Sequence, residues 1–166
     1  MTVKNVEKDT ERLTMTLTAE FDATVDRVWQ LLEDPRLLER WWGPPGYPAT
    51  FVDHDLSRGG VVTYYMTGPD GDRHHGWWRI TDLDPGSRVE FEDGFGEDAE
   101  SPTPNMPTIT ASIALDAIDD SVTRMTVHST FPSLEAMEQI VAMGMEEGLT
   151  LAVGQIDDLL AEHSMS

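Results

Sequence analysis

Apolar and polar residues alternate most cleanly at Leu13, Met15, Leu17, Ala19 and Phe21, with Thr14, Thr16, Thr18 and Glu20 between them. A period of two predicts a strand with one face buried. The period then changes. Val25, Val28, Trp29 and Leu32 stand at helical spacing behind Thr24, a plausible cap, and predict a short helix to about Leu32. Asp34-Pro35 starts a second helix, with the acid as cap and proline in the first turn, carrying Leu37, Leu38, Trp41 and Trp42. Gly43-Pro44-Pro45-Gly46 ends it. Met1 to Asp9 is polar and reads as a loosely held lead.

Six more strands are predicted: about Ala49 to Asp55, Gly60 to Thr67, His74 to Leu83, Arg88 to Asp93, Thr108 to Asp116 and Ser121 to Thr130. Gly59-Gly60, Gly68-Pro69-Asp70-Gly71, Asp84-Pro85-Gly86 and Ile118-Asp119-Asp120 mark turns between them. Connections this short predict an antiparallel sheet, of seven strands with the first. Alternation puts Val62, Tyr64 and Met66 on one face, with Trp78 and Ile80, Val89 and Phe91, Ile109 to Leu115 at alternate positions, and Met125 and Val127. Trp77 beside Trp78 leaves open which indole is inside. Gly94 to Pro107 reads as a long loop, a functional cover or a mobile segment.

Ser133 to Glu162 reads as one continuous helix. Its stripe is Leu134, Met137, Val141, Met145, Gly148, Ala152, Ile156 and Leu159, about 45 Å of rod at 1.5 Å per residue. Gly144 and Gly148 share a face, and each costs about 1 kcal/mol against alanine. They either allow close packing or thin the helix where a ligand fits. Met137, Met143 and Met145 suit both, since methionine fills gaps and accepts varied apolar partners.

Composition narrows the function. At 166 residues, 39% hydrophobic and 25% charged, the chain has the size and character of one globular domain, residues 1–166 with a core at about 12–162. No run of eighteen apolar residues or signal peptide is visible, so a cytoplasmic protein is expected. A net charge of −20 argues against nucleic acid and anionic membranes as partners. The absence of cysteine excludes disulfides, thiolate metal sites and cysteine nucleophiles.

Specific chemistry is sparse. His74 and His75 are adjacent and point to opposite faces of a strand. Asp53-His54-Asp55 places two carboxylates on one face without a third ligand at a recognisable spacing, so no metal and no cofactor is expected. No Gly-x-Ser-x-Gly and no phosphate-binding loop is present. General acid–base work falls to any carboxylate, tyrosine or histidine facing an apolar cavity: Glu146, Glu147, Tyr64, Arg79 and His128 are the candidates, with His128 outward by parity.

Several stretches together resemble a known family. They are Phe21-Asp22-Ala23-Thr24 with Val28-Trp29; Asp34-Pro35 to Arg40-Trp41-Trp42-Gly43-Pro44; Asp55-Leu56 with Gly59-Gly60, Met66 and Asp70-Gly71; and Thr123-Arg124-Met125-Thr126. The pattern is similar to bacterial single-domain relatives of the activator of heat-shock protein 90 ATPase, within the START/birch-pollen-allergen (SRPBCC) superfamily. Ser57 departs from the usual arginine, and Leu149 from the usual tryptophan after Gly148. The resemblance implies an α+β helix-grip fold: a curved seven-stranded antiparallel sheet, two short helices, one long C-terminal helix, and an apolar cavity between sheet and helix. Trp-Trp-Gly-Pro would anchor the second short helix.

The expected function is binding of a small hydrophobic or aromatic ligand, without catalysis. The expected wall is Trp42, Tyr64, Met66, Trp78, Phe91, Ile113, Met125, Met143 and Gly144, with Glu147 as polar anchor. Alternatives are a polyketide-cyclase or hydratase type of enzyme using Tyr64 or Glu147, and a chaperone ATPase co-activator. A second titratable group beside the first in the cavity would favour the enzyme. A homodimer is left open.

Overall fold

The computed structural model describes residues 3–96 and 107–164. The chain runs β1 (Val3–Asp9), β2 (Thr14–Phe21), α1 (Val25–Glu33), α2 (Pro35–Leu38), β3 (Ala49–His54), β4 (Val61–Thr67), β5 (Arg73–Asp84), β6 (Arg88–Phe95), β7 (Ile109–Asp119), β8 (Val122–Thr130), α3 (Leu134–Ala142), α4 (Met145–Gly154) and α5 (Ile156–Ser164). Four of the helices have nine or ten residues; α2 has four.

The strands form one sheet of eight, in the order β1-β2-β8-β7-β6-β5-β4-β3, with every neighbouring pair antiparallel. The expected seven is short by one. Val3–Asp9, read as a loose lead, pairs along β2 from Val3 opposite Ala19 to Asp9 opposite Thr14. A register shift between Val3 and Asn5 breaks the alternation, and only Val3 and Val6 pack on the cores, so no period of two marks this strand. The tandem helices α1 and α2 carry the chain from β2 to β3 at the far edge. Their caps are as expected: Thr24 accepts from the Arg27 amide and Asp34 from the Arg36 amide. Beyond α2, Trp41 donates its indole N–H to the Leu31 carbonyl at 2.9 Å, pinning the turn to α1.

The single long helix is the second correction. Ser133 caps α3 as expected, accepting from the Ala136 amide at 3.0 Å. The rod then breaks twice, at Met143-Gly144 and again at Gln155. Gly144 sits in the left-handed region at φ +91°, which reverses the backbone at one residue and restarts the helix. A reversal that short barely disturbs a three- or four-residue repeat, so the apolar stripe runs through it unbroken.

The helical segments are seated on two separate cores. In the smaller, Met137 and Ile140 of α3 meet Met15, Ile109 and Phe131. The larger gathers Val153, Ile156, Leu159 and Leu160 with Phe21, Leu38, Trp41, Trp78, Phe91 and Ile113. Arg27 reinforces the second seat through a 2.8 Å bond to the Leu160 carbonyl, and Arg40 through a 2.8 Å ion pair with Glu162. Gln155, at the second break, donates to the Gly43 carbonyl at 2.8 Å and the Trp41 carbonyl at 3.3 Å. The start of α4 thus spans between two anchored ends.

Candidate functional site

Under that span lies a cavity of about 290 Å³. The sheet supplies Tyr64 and Met66 from β4, Phe91, Asp93 and Phe95 from β6, Ile109 and Ala111 from β7, and Val127 and Ser129 from β8. Trp42 and Pro44 close one side, and Ile140, Met143, Gly144, Met145, Gly148 and Leu149 form the roof. A Cβ built on Gly144 or Gly148 meets no atom within 4 Å, so close packing does not explain either glycine.

Six of the ten expected wall residues stand on this wall: Trp42, Tyr64, Met66, Phe91, Met143 and Gly144. Trp78, Ile113, Met125 and Glu147 do not. Trp78 is on the inner face but 1% exposed, stacked on Phe91 at 4.3 Å and edge-on to Trp42 at 4.9 Å; those two rings take the wall in its place. Ile113 and Met125 are fully buried in the large core, on the strands that α1 packs against. Alternation tells which face a residue is on, but not whether a helix covers that part of the strand. Glu147 is exposed on α4, while Met145, Gly148 and Leu149 face the cavity, so it is not the polar anchor.

Among the described residues, the charged side chain that lines the cavity is instead Asp93, which is absent from the expected wall. It shares the parity of Val89 and Phe91 and lies opposite Trp78 in register, on the inner face. The strand continues past it to Phe95, so the expected loop from Gly94 begins too early; residues 97–106 of that loop lie outside the described residues. Protein surrounds Asp93, and the surface it retains faces the cavity. Burial pushes its carboxyl up to about 7, against a smaller opposing effect of the Tyr64 hydroxyl. Tyr64 is itself held protonated, first by burial and then by the Asp93 charge. The indole N–H groups of Trp42 and Trp78 approach the same hydroxyl without completing hydrogen bonds of good geometry, and both remain buried without partners.

Tyr64 is held in place by its neighbours. Its ring stacks on Phe51 at 5.0 Å and meets Trp42 edge-on at 6.2 Å. Opposite it on β5 is Gly76, the one residue type whose surface lets the ring lie flat across the strand. The outer face repeats the device: Trp77 is opposite Gly94 and lies across it, donating to the Phe95 carbonyl at 3.3 Å. Both indoles of the Trp77-Trp78 pair are therefore buried, with Trp78 the inner one.

The remaining acid–base candidates are engaged elsewhere. Glu146 pairs with Lys8 of β1 at 2.6 Å. Arg79 is on the outer face, 4.0 Å from Glu92 and over the Trp77 ring at 5.9 Å. His128 is 2.8 Å from the Thr16 hydroxyl. Asp53 accepts from Thr63 at 2.8 Å, His54 lies 3.0 Å from the Leu32 carbonyl, and Asp55 accepts from Ser57 at 2.6 Å. Among the described residues, no three His, Cys, Asp or Glu side chains cluster as a metal ion would need.

Comparison with known proteins agrees with this architecture. Residues 22–161 match the family described as activator of Hsp90 ATPase homolog 1-like protein. No curated protein matches the chain. A crystal structure of a Mycobacterium smegmatis protein is similar at 47% identity and a TM-score of 0.87, covering 95% of this chain and 96% of its own. A solution structure of an Arthrobacter aurescens protein is similar at 48% identity and a TM-score of 0.91, covering 97% of this chain and 93% of its own. A Nitrosomonas europaea protein shares the fold at 23% identity and a TM-score of 0.80, covering 93% and 98%.

Proposed function

The chain belongs to the activator of Hsp90 ATPase homolog 1-like family, and on that premise we propose that it binds a small apolar or aromatic molecule between sheet and helix. The observation that carries this reading is the space beneath Gly144 and Gly148. Gly148, which weakens the helix it sits in, and Gly144 at the joint both pack against nothing and leave room where larger residues would fill it. The walls are aromatic, aliphatic and methionine-rich, with two titratable groups among them. At about 290 Å³ the space suits a molecule of one or two rings. The reading takes the chain as one cytoplasmic domain acting on a small molecule, not on nucleic acid or membrane. Among the described residues, no helix is long and apolar enough to cross a bilayer.

A thermal-shift screen of aromatic and alicyclic compounds tests it. A ligand at a hundred times its Kd stabilises by about 2.7 kcal/mol, which moves the melting temperature by several degrees. A panel of such compounds that leaves the melting temperature unmoved removes this reading.

A second reading, an enzyme of polyketide-cyclase or hydratase type, is favoured by one observation: Tyr64 and Asp93 lie side by side on the wall. A carboxyl that titrates near neutrality is matched to proton transfer at working pH. Mass spectrometry of a bound ligand recovered from wild type and from Asp93→Asn separates the two. An enzyme returns altered ligand only from the wild type; a carrier returns it unchanged from both.

A further inference from the structure

We propose that the cavity selects a ligand bearing a protonated amine, seated on the Asp93 carboxylate with the rings of Trp42, Tyr64, Phe91 and Phe95 around it. The inference rests on the binding reading above and names its ligand class.

Three observations converge on it. First, among the described residues the charged side chain on the wall is an acid, and no arginine or lysine stands with it. Asp93 takes part in none of the ion pairs among the described residues. An anionic ligand would set two like charges in an apolar space, whereas an ammonium supplies the counter-charge the fold omits. Second, Phe91 and Phe95 flank Asp93 at two-residue steps on the same strand face, with Tyr64 beside it and Trp42 edge-on to Tyr64. Aromatic faces around a carboxylate attract a cation through their quadrupoles and give its apolar body a surface to lie on. Third, Tyr64 lines the cavity beside Asp93. A hydroxyl has one proton to give, so it can engage only one carboxylate lone pair and leaves the others for a ligand. Among the described residues, Tyr64 and Asp93 are the titratable groups of the wall, so none of the described acids competes with Asp93 for the amine there. The net charge of −20 adds a field that draws cations to the whole surface.

The test uses three probes of one shape: 1-naphthylmethylamine, 1-naphthylmethanol and 1-naphthoate. Titration calorimetry at about pH 8 keeps the carboxylate ionised and the amine protonated. Wild type is expected to bind the amine roughly tenfold or more tighter than the alcohol, and the naphthoate least. Asp93→Asn is expected to lose that preference while keeping its affinity for the alcohol. Tyr64→Phe, which keeps the ring and the carboxylate, is expected to retain it. Equal binding of amine and alcohol by wild type overturns the amine assignment and leaves the binding reading standing. A preference that survives in Asp93→Asn does the same. Failure of all three probes to bind removes both.

Discussion

Tyr64 lies flat across Gly76, its register partner on the neighbouring strand, so closely that a methyl group at position 76 would meet the hydroxyl oxygen at 2.5 Å. The ring cannot easily retreat, because Phe51, Trp42 and Trp78 hold it from other sides. Gly76→Ala is therefore expected to cost about 1–3 kcal/mol, as overpacking of a filled core does. The same change should push Tyr64 off Asp93. Urea denaturation checks the first effect and the Asp93 titration, followed by carboxyl NMR, the second.

Asp93 sets a pH dependence of stability opposite in sign to that of a salt-bridged acid. An unfolded aspartate titrates near about 3.9. Here burial raises the folded value to about 7. Between those values the folded chain keeps a proton that the unfolded chain has released, so stability falls as pH rises from about 4 to about 7 and then levels. The drop is on the order of 2–4 kcal/mol. Asp82, held down to about 2 by Arg58 and Arg88, adds stability that disappears only below that window. Denaturant midpoints across pH should fall for wild type and stay flatter for Asp93→Asn. Parallel curves for the two would contradict the buried-acid account.

The two roof glycines should respond oppositely to alanine. Gly148 is helical with open space around it, so Gly148→Ala is expected to stabilise by about 1 kcal/mol. Gly144 is in the left-handed region, where a Cβ is strained whatever the space, so Gly144→Ala is expected to destabilise by about 1 kcal/mol. Paired thermal melts decide both signs.

Filling the space should separate folding from binding. Gly148→Phe aims a ring into the cavity and is expected to retain the wild-type circular dichroism while abolishing the ligand-induced thermal shift. Ile113→Ala should do the reverse. It removes fully buried core away from the cavity wall, costs about 2–5 kcal/mol and leaves ligand preference unchanged.

Much of this architecture was legible from periodicity. Thr14–Phe21 and six further strands appear near their expected places, because each has one face on a core and alternates accordingly. Thr24, Asp34 and Ser133 act as the caps their side chains suggested. What escaped was set by single residues or by long-range cover. A bulge hid Val3–Asp9, and one left-handed residue at Gly144 broke a helix whose stripe looked continuous. The wall was half legible for a related reason: Ile113 and Met125 obey the same alternation as Val127, yet α1 lies over their end of the sheet. Asp93 was within reach, since it keeps the parity of Val89 and Phe91. An acid at the end of a predicted strand reads as a turn residue unless the following Gly94-Phe95 is seen to continue the strand.

The joint at Gly144 makes the terminal rod an arch with two fixed feet. One foot stands in the small core through Met137 and Ile140, the other in the large core through Ile156 and Leu159. The height of such an arch is set at its joint as well as by the side chains beneath it: the Gly144 dihedral fixes the angle at which α4 leaves α3, and with it how far the crown stands above the sheet.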